Sequence, residues 1–153
     1  MWQEIVREPS FSFDNTGIYI EATAFLMTGK NLKYIIGFLN SNPVAIFFKT
    51  FYAGGGLGED GYRYKKAFLE QLPLPPLTPQ NQPIVKQIED LVDKIISAKR
   101  GRLPSADASL QESNNLQVDT SDWEREIDQL VYKLYGLTEE EIKIVENFGL
   151  KNN

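Results

Sequence analysis

The sequence predicts an α+β fold, in which a small, mainly antiparallel sheet with two helices is followed by a C-terminal bundle of about three helices. Three observations support this class. Turn residues and short apolar–polar alternation fill the first 30 residues, helical periodicity follows from 31 to 51, and long amphipathic stretches with capping signals come after residue 79. With 153 residues, 42% of them hydrophobic, the chain is long enough to bury a core.

The first 51 residues predict strands and then helices. The expected β elements are a strand at 2–7, a hairpin with strands at 11–13 and 18–20 around a turn at 14–17, and a strand at 23–27. From Asn31, the expected N-cap, apolar side chains recur at helical spacing. The Asn-Ser-Asn-Pro sequence at 40–43 ends this helix and begins another, with Pro43 at its first position.

The stretch from Phe51 to Lys66 is the part that ordinary folding explains least. Its five glycines free the backbone to turn and to approach another molecule closely: Gly54, Gly55, Gly56, Gly58 and Gly61. Residues 62–66 then combine three positive charges with two aromatic rings, a composition suited to a polyanion with flat bases. The alternative interpretation is a flexible surface loop with solvated charges. A phosphate-binding loop is excluded, because the glycines follow a helix and no Gly-Lys-Ser/Thr is present.

After this stretch the sequence predicts connections and helices. Residues 65–71 are expected to form a helical turn anchored by Ala67, Phe68 and Leu69. The prolines of 72–77 predict an extended connector whose leucines dock onto the sheet, in preference to an SH3-type ligand. Residues 79–98 predict a long connecting helix with a wide apolar stripe, and residues 99–118 lose this periodicity and predict a flexible insertion.

Residues 119–153 predict a pair of helices that packs on the 79–98 helix. Capping boxes are expected to begin the two helices at Ser121 and Thr138. Glycines are expected to end them, Gly136 the first and Gly149 the second.

Charge and composition narrow the function. The net charge of −5 comes from residues 119–146, which carry nine acidic and three basic side chains, whereas residues 1–78 carry seven of each. The acidity therefore need not face a nucleic acid. The absence of Cys and His excludes Cys–His zinc sites and Ser–His or Cys–His catalysis. No apolar run reaches the ~20 residues of a membrane span and no signal peptide is visible, so we expect a cytoplasmic protein without a membrane partner.

Seven motifs, in this order along the chain, together resemble one known family. They are Trp2–Ile5, Phe11–Asn15, Asn31–Ser41, Gly54–Gly58, Gly61–Lys66, Gln71–Pro75 and Glu124–Thr138. Their order and spacing are similar to those of the C-terminal target-recognition (specificity) domain of type II restriction-modification enzymes and adenine-specific DNA methyltransferases. The proline-rich connector and the long helix are also similar to recognition domains of type I specificity subunits. The resemblance covers nearly the whole chain outside 99–118.

The resemblance implies that residues 1–78 are part of a DNA target-recognition domain whose upstream portion is missing from this sequence. The implied partners are double-stranded DNA and a methyltransferase or nuclease domain of the same parent chain, in a prokaryotic cytoplasm. No methyltransferase or nuclease motif occurs here. We therefore expect no catalytic residue, cofactor or metal in this chain, with S-adenosylmethionine and Mg belonging to the parent enzyme.

The residues expected to contact DNA lie around the glycine-rich stretch: Lys49, Tyr52, Tyr62, Arg63, Tyr64, Lys65 and Lys66. Arg63 is the candidate for reading guanine, the lysines for phosphates, and the tyrosines of 62–64 for packing on bases or sugars. The five glycines shape the loop. Two alternatives remain open. One is a protein-interaction module whose helices attach to a methyltransferase or nuclease subunit, and the other is an enzyme with Glu59 and Asp60 in a metal-dependent site.

Overall fold

The computed structural model describes residues 1–17, 19–20, 22–52, 61–100 and 118–151. Four short strands and six helices lie within these ranges: β1 (Trp2–Gln3), β2 (Ile5–Val6), β3 (Ala24–Phe25), α1 (Leu32–Asn40), α2 (Asn42–Phe51), β4 (Tyr62–Arg63), α3 (Lys66–Leu69), α4 (Gln82–Arg100), α5 (Ser121–Tyr135) and α6 (Glu139–Lys151). The predicted α+β class is confirmed. Four of the loop glycines, the Glu59–Asp60 pair and residues 101–117 of the expected insertion lie outside the described residues.

Residues 2–6 form the centre of the small β region. β1 pairs with β3 and β2 pairs with β4, both antiparallel. The chain changes partner at Glu4, whose N–H donates to the Thr23 carbonyl at 3.2 Å and whose carbonyl accepts the Tyr64 N–H at 2.7 Å. The strand predicted at 2–7 is thus two short strands with a bend between them.

The strands predicted at 11–13 and 18–20, on either side of the turn at 14–17, are not found among the described residues. The turn itself is present, because the Asp14 carboxylate accepts the N–H groups of the residues at 16 and 17 at 3.2 and 2.9 Å. None of the described residues on either side of the turn, between 11 and 20, lies in a strand. The backbone of Phe11 is paired with the Asn40 side chain instead, which donates to its carbonyl at 2.8 Å and accepts from its N–H at 2.9 Å.

α1 packs closely along α4, and this contact is the centre of the helical core. At Gly37 a Cβ atom would lie 2.5 Å from Ile88 Cγ2 and 3.0 Å from Val92 Cγ2, so the two helices touch where α1 has no side chain. The most buried side chains of α1 are Tyr34 and Phe38, each 1% exposed. Asn31 precedes the helix as predicted but makes no side-chain capping bond.

The C-terminal helices are joined by a tight turn at Gly136. Its φ is +66°, and its N–H and that of Leu137 donate to the Lys133 and Tyr132 carbonyls, which confirms the predicted C-cap. α5 packs on α4 as expected, whereas the main contact of α6 is with α2. Both C-terminal helices were expected on the long helix, and α6 reaches a different neighbour because this turn redirects the chain.

The helix ends follow the predicted caps in part. The capping box at Thr138 is confirmed, since the Glu141 carboxylate accepts the Thr138 N–H at 2.8 Å. The box predicted at Ser121 is one residue too late, because Thr120 is the N-cap and its hydroxyl donates to Glu124 at 2.7 Å. The predicted stop at Gly149 is wrong, since α6 continues to Lys151.

The proline-rich connector at 72–77 lies outside the helices and strands, as predicted. Leu72 is buried, but Leu74 and Leu77 are 38% and 42% exposed, so the prediction that these leucines dock onto the sheet is wrong. The connector is held against helices by its backbone. The carbonyl of residue 73 accepts the Tyr135 hydroxyl at 3.1 Å, and that of residue 75 accepts the Tyr34 hydroxyl at 3.0 Å.

Candidate nucleic-acid interface

β2 and β4 form a two-stranded ribbon with two different faces. Successive side chains of a strand point to opposite faces, and Ile5 pairs with Arg63 while Val6 pairs with Tyr62. The backbone continues extended through Lys65. The inner face therefore carries Val6, Tyr62 and Tyr64, all at least half-buried, and the outer face carries Ile5, Arg63 and Lys65, all exposed.

Tyr64 fixes the inner face to the core. Its ring is 2% exposed and stacks on Phe48, with centroids 4.3 Å apart and an interplanar angle of 10°. The Trp2 indole N–H donates to its carbonyl at 2.8 Å. Burial raises the pKa of Tyr64, and its hydroxyl has no hydrogen-bond partner among the described residues. Burial at this depth favours a packing role for the Tyr64 ring over the predicted contact with a base.

Lys49 and Tyr62 tie α2 to the same inner face. The Lys49 ammonium lies 5.1 Å from the centroid of the Tyr62 ring and 2.7 and 2.8 Å from the two carboxylate oxygens of Glu8. The Lys49 side chain is only 16% exposed. Its charge is neutralised and largely covered, which favours a packing role over the predicted phosphate contact.

Tyr52, at the end of α2, is also part of this packing. Its ring lies 5.9 Å from that of Phe47 and 6.3 Å from that of Phe48, and it is half-buried. Its hydroxyl lies 3.4 Å from the Gln71 carbonyl. Tyr52 therefore supports the end of α2, and only part of its ring remains accessible.

The outer face, in contrast, presents cations to solvent. The Arg63 side chain is 46% exposed, and its ion-pair contact among the described residues is long, 3.5 Å from Glu4 Oε1. Lys65 is exposed and has no ion-pair partner among the described residues. Lys66, 72% exposed, lies 3.5 Å from Glu70 one turn along. Exposed pairs of this kind contribute only ~0–1 kcal/mol, so each cation is readily released to another anion.

Arg7 is a further cation that the sequence reasoning missed. It follows β2, it is exposed, and it lies opposite Gly61 in the continued register. Val6 before it is half-buried and Glu8 after it reaches back to α2, so alternation directs Arg7 to the outer face beside Arg63. The spacing of Ile5 and Arg7 was visible in the sequence, but their pairing with residues 61–63 was not. We call Arg7, Arg63, Lys65 and Lys66 the basic face.

Gly61 sets the distance between the two strands of the ribbon. It is the one loop glycine within the described residues, with φ +112°. A Cβ there would lie 2.6 Å from the Val6 carbonyl oxygen and 2.9 Å from the Arg7 nitrogen, both backbone atoms. On the other side of β4, α3 anchors the chain through the buried Leu69 and the half-buried Phe68, whereas Ala67 is exposed and anchors nothing.

In the described part of the chain, no group of three or more Asp or Glu side chains is placed to hold a metal ion. No helix within the same ranges is long and apolar enough to cross a bilayer.

A small α+β domain with an exposed basic face on a ribbon backed by aromatic rings has the features of a DNA-binding module. Residues 1–74 match the family model of the TaqI-like C-terminal specificity domain. The match confirms the resemblance to the C-terminal specificity domain of restriction-modification enzymes. It includes the ribbon and α1–α3 and ends in the connector, before α4. Searches of curated proteins and of solved structures gave no significant match.

Proposed function

We propose that this chain recognises a double-stranded DNA target on behalf of a restriction-modification enzyme, and that the basic face is its DNA-contacting surface. The observation that carries the proposal is the two-sided ribbon. Its inner face is fixed in the aromatic core through Tyr64, and its outer face presents the cations of Arg63 and Lys65 to solvent. A rigid backing with exposed cations suits a domain that must hold side chains in register with DNA.

Within this face the residues have different roles. Arg63 projects from a paired strand and carries the planar guanidinium that reads guanine through two hydrogen bonds, so it is the base-reading candidate. Glu4 orients the Arg63 side chain before DNA binds. Because the contact between them is long and exposed, Arg63 can readily leave Glu4 for a base. Arg7, Lys65 and Lys66 contact phosphates, which fixes the register of the domain on the duplex.

The remaining tyrosines and Lys49 support this surface. Tyr62 and Lys49 hold α2 against the ribbon, and Tyr52 holds the end of α2. The exposed edges of the Tyr62 and Tyr52 rings can still pack on a sugar, as a contact secondary to the basic face.

The catalytic steps belong to another domain. We infer that the parent polypeptide carries an adenine-specific methyltransferase, with or without a nuclease, and that S-adenosylmethionine and Mg bind there. The parent would act in a prokaryotic cytoplasm, where its target DNA is found. These inferences rest on the family of residues 1–74.

The proposal is tested by selecting the sequence that the chain prefers from a pool of random duplexes and then titrating salt. Lys66→Ala should weaken binding to all sequences alike and reduce the slope of log Kd against log salt by about 1. Lys143→Ala on α6, which also removes one exposed lysine, is the control and should leave the slope unchanged. Failure of the folded wild-type chain to bind any duplex, or equal slopes for wild type and Lys66→Ala, would contradict the proposal.

A further inference from the structure

A second surface of the chain is an apolar groove of about 400 Å³ between α2 and α6. The connector and the end of α5 complete its walls, and its principal lining side chains are Phe47, Phe51, Leu72, Tyr135, Ile144 and Phe148. Phe51 and Ile144 are each 68% exposed, and Phe148 is 46% exposed. Large apolar side chains this exposed within one patch are typical of a surface that another molecule covers.

The DNA-binding proposal does not account for this groove. None of the basic-face residues lines it. One wall, α2, belongs to the TaqI-like specificity domain, and the opposite wall, α6, lies beyond the family match. The groove is therefore built only where the C-terminal helices meet the specificity domain.

The α6 wall also carries a defined charge. Its first turn holds Glu139, Glu140 and Glu141, all exposed, and Glu140 and Glu141 lie one turn before the lining residue Ile144. Lys143 is the adjacent basic residue. An apolar floor with a mainly acidic rim is complementary to an apolar ridge flanked by cations.

We propose that the apolar groove binds an amphipathic helix of a partner protein whose apolar stripe is flanked by Lys or Arg. Side chains at i, i+3, i+4 and i+7 of such a helix would fill the groove, and its cations would meet the α6 glutamates. Charge argues against a second copy of this chain as the occupant. A two-fold contact uses the same patch of both copies, so it would bring two acidic rims into one interface, where like charges repel.

The test uses two synthetic helical peptides and the full chain. Both peptides carry Leu at i, i+3, i+4 and i+7, and their exposed positions are Lys in one and Glu in the other. We expect the Lys peptide to bind and the Glu peptide to bind at least tenfold more weakly. Ile144→Asp should weaken the Lys peptide by about tenfold or more, because a buried apolar contact is lost.

The direction in which Ile144→Asp changes affinity for the Lys peptide distinguishes insertion into the groove from attraction by charge alone. This substitution adds a negative charge, so attraction by charge alone would strengthen binding of the Lys peptide, whereas insertion into the groove weakens it. Phe51→Ser, on the opposite wall, should weaken binding without changing charge. Leu77→Asp is the control, because it introduces the same charge at an exposed leucine outside the groove. Its affinity for the Lys peptide should equal that of wild type.

Circular dichroism of each variant first establishes that the helices are retained. Absence of Lys-peptide binding to the folded wild-type chain would overturn the proposal, as would stronger binding by Ile144→Asp. Sedimentation of the chain alone provides a further check. A concentration-dependent dimer that Ile144→Asp abolishes would assign the groove to a second copy and would also overturn it.

Discussion

Replacing Gly61 with Ala tests whether the ribbon beneath the basic face is as tightly built as the geometry indicates. Gly61 has φ +112°, outside the small left-handed region that other residues enter. Forcing Ala into such a conformation costs ~1–3 kcal/mol. The added Cβ would also lie 2.6 Å from the Val6 carbonyl oxygen, an atom of β2 that cannot rotate away. We therefore expect a total loss of about 3 kcal/mol in the free energy of unfolding.

Gly136→Ala is the matched control, because it shares the positive φ without the steric conflict. Its φ of +66° lies within the left-handed region, and, apart from its chain neighbours, no atom of the described residues lies within 4 Å of the position that a Cβ would occupy. This substitution should cost only ~1 kcal/mol. The difference between the two variants isolates the close approach of β4 to β2.

Urea unfolding followed by tryptophan fluorescence measures both variants. Trp2 packs on Phe25, with ring centroids 5.3 Å apart, so its emission reports on the β region. At an unchanged m-value, Gly61→Ala should lower the midpoint by about 1–2 M urea. If Gly61→Ala is no less stable than Gly136→Ala, the strands are not held as closely as described, and the rigid backing of the basic face is refuted.

Three further substitutions test the core and its electrostatics. Tyr64→Phe removes a buried hydroxyl without a partner among the described residues, so urea unfolding should show unchanged stability or a gain of up to ~1 kcal/mol, and a large loss would reveal a missed partner. Gly37→Ala, 2.5 Å from Ile88 Cγ2, should cost about 1–3 kcal/mol, and a neutral result would contradict the α1–α4 contact. Burial raises the pKa of Asp128 to about 6, so its folded-state carboxyl favours the proton and its contribution to stability falls as pH rises through about 6. Asp128→Asn, whose amide oxygen can still accept the Asn42 N–H, should therefore gain stability relative to wild type as pH rises from about 4 to 6, by up to about 3 kcal/mol, and keep that gain at pH 7. A pH-independent difference in unfolding free energy would contradict that shift.

The helices could be predicted because their signals are local. The apolar periodicity of residues 82–100 and the capping box at Thr138 depend on residues within one or two turns, and both agree with the structure. The hairpin around residues 14–17 failed for the opposite reason. Its turn is local and forms, but the Phe11 backbone finds its partner in Asn40, which lies 29 residues away.

The proposed DNA-contacting surface could be predicted only in part, because pairing between distant strands decides which side chains face solvent and which face the core. The composition of residues 62–66 drew attention to the right segment. Whether Tyr64 or Arg63 faces inward is decided by the pairing with Ile5, more than 50 positions earlier. The same long-range pairing brings Arg7 to the outer face. The sequence reasoning missed Arg7 because it lies far along the chain from the basic residues of 62–66.

The measurement that tests the central claim most directly is the affinity of Arg63→Ala for two duplexes, the preferred sequence and a scrambled one, at a single salt concentration. The scrambled duplex isolates the loss of one positive charge, which both duplexes share. We expect Arg63→Ala to lose a further ~1–3 kcal/mol on the preferred duplex and to relax preference at one base pair. Equal losses on both duplexes would contradict base reading by Arg63 and leave it a phosphate contact.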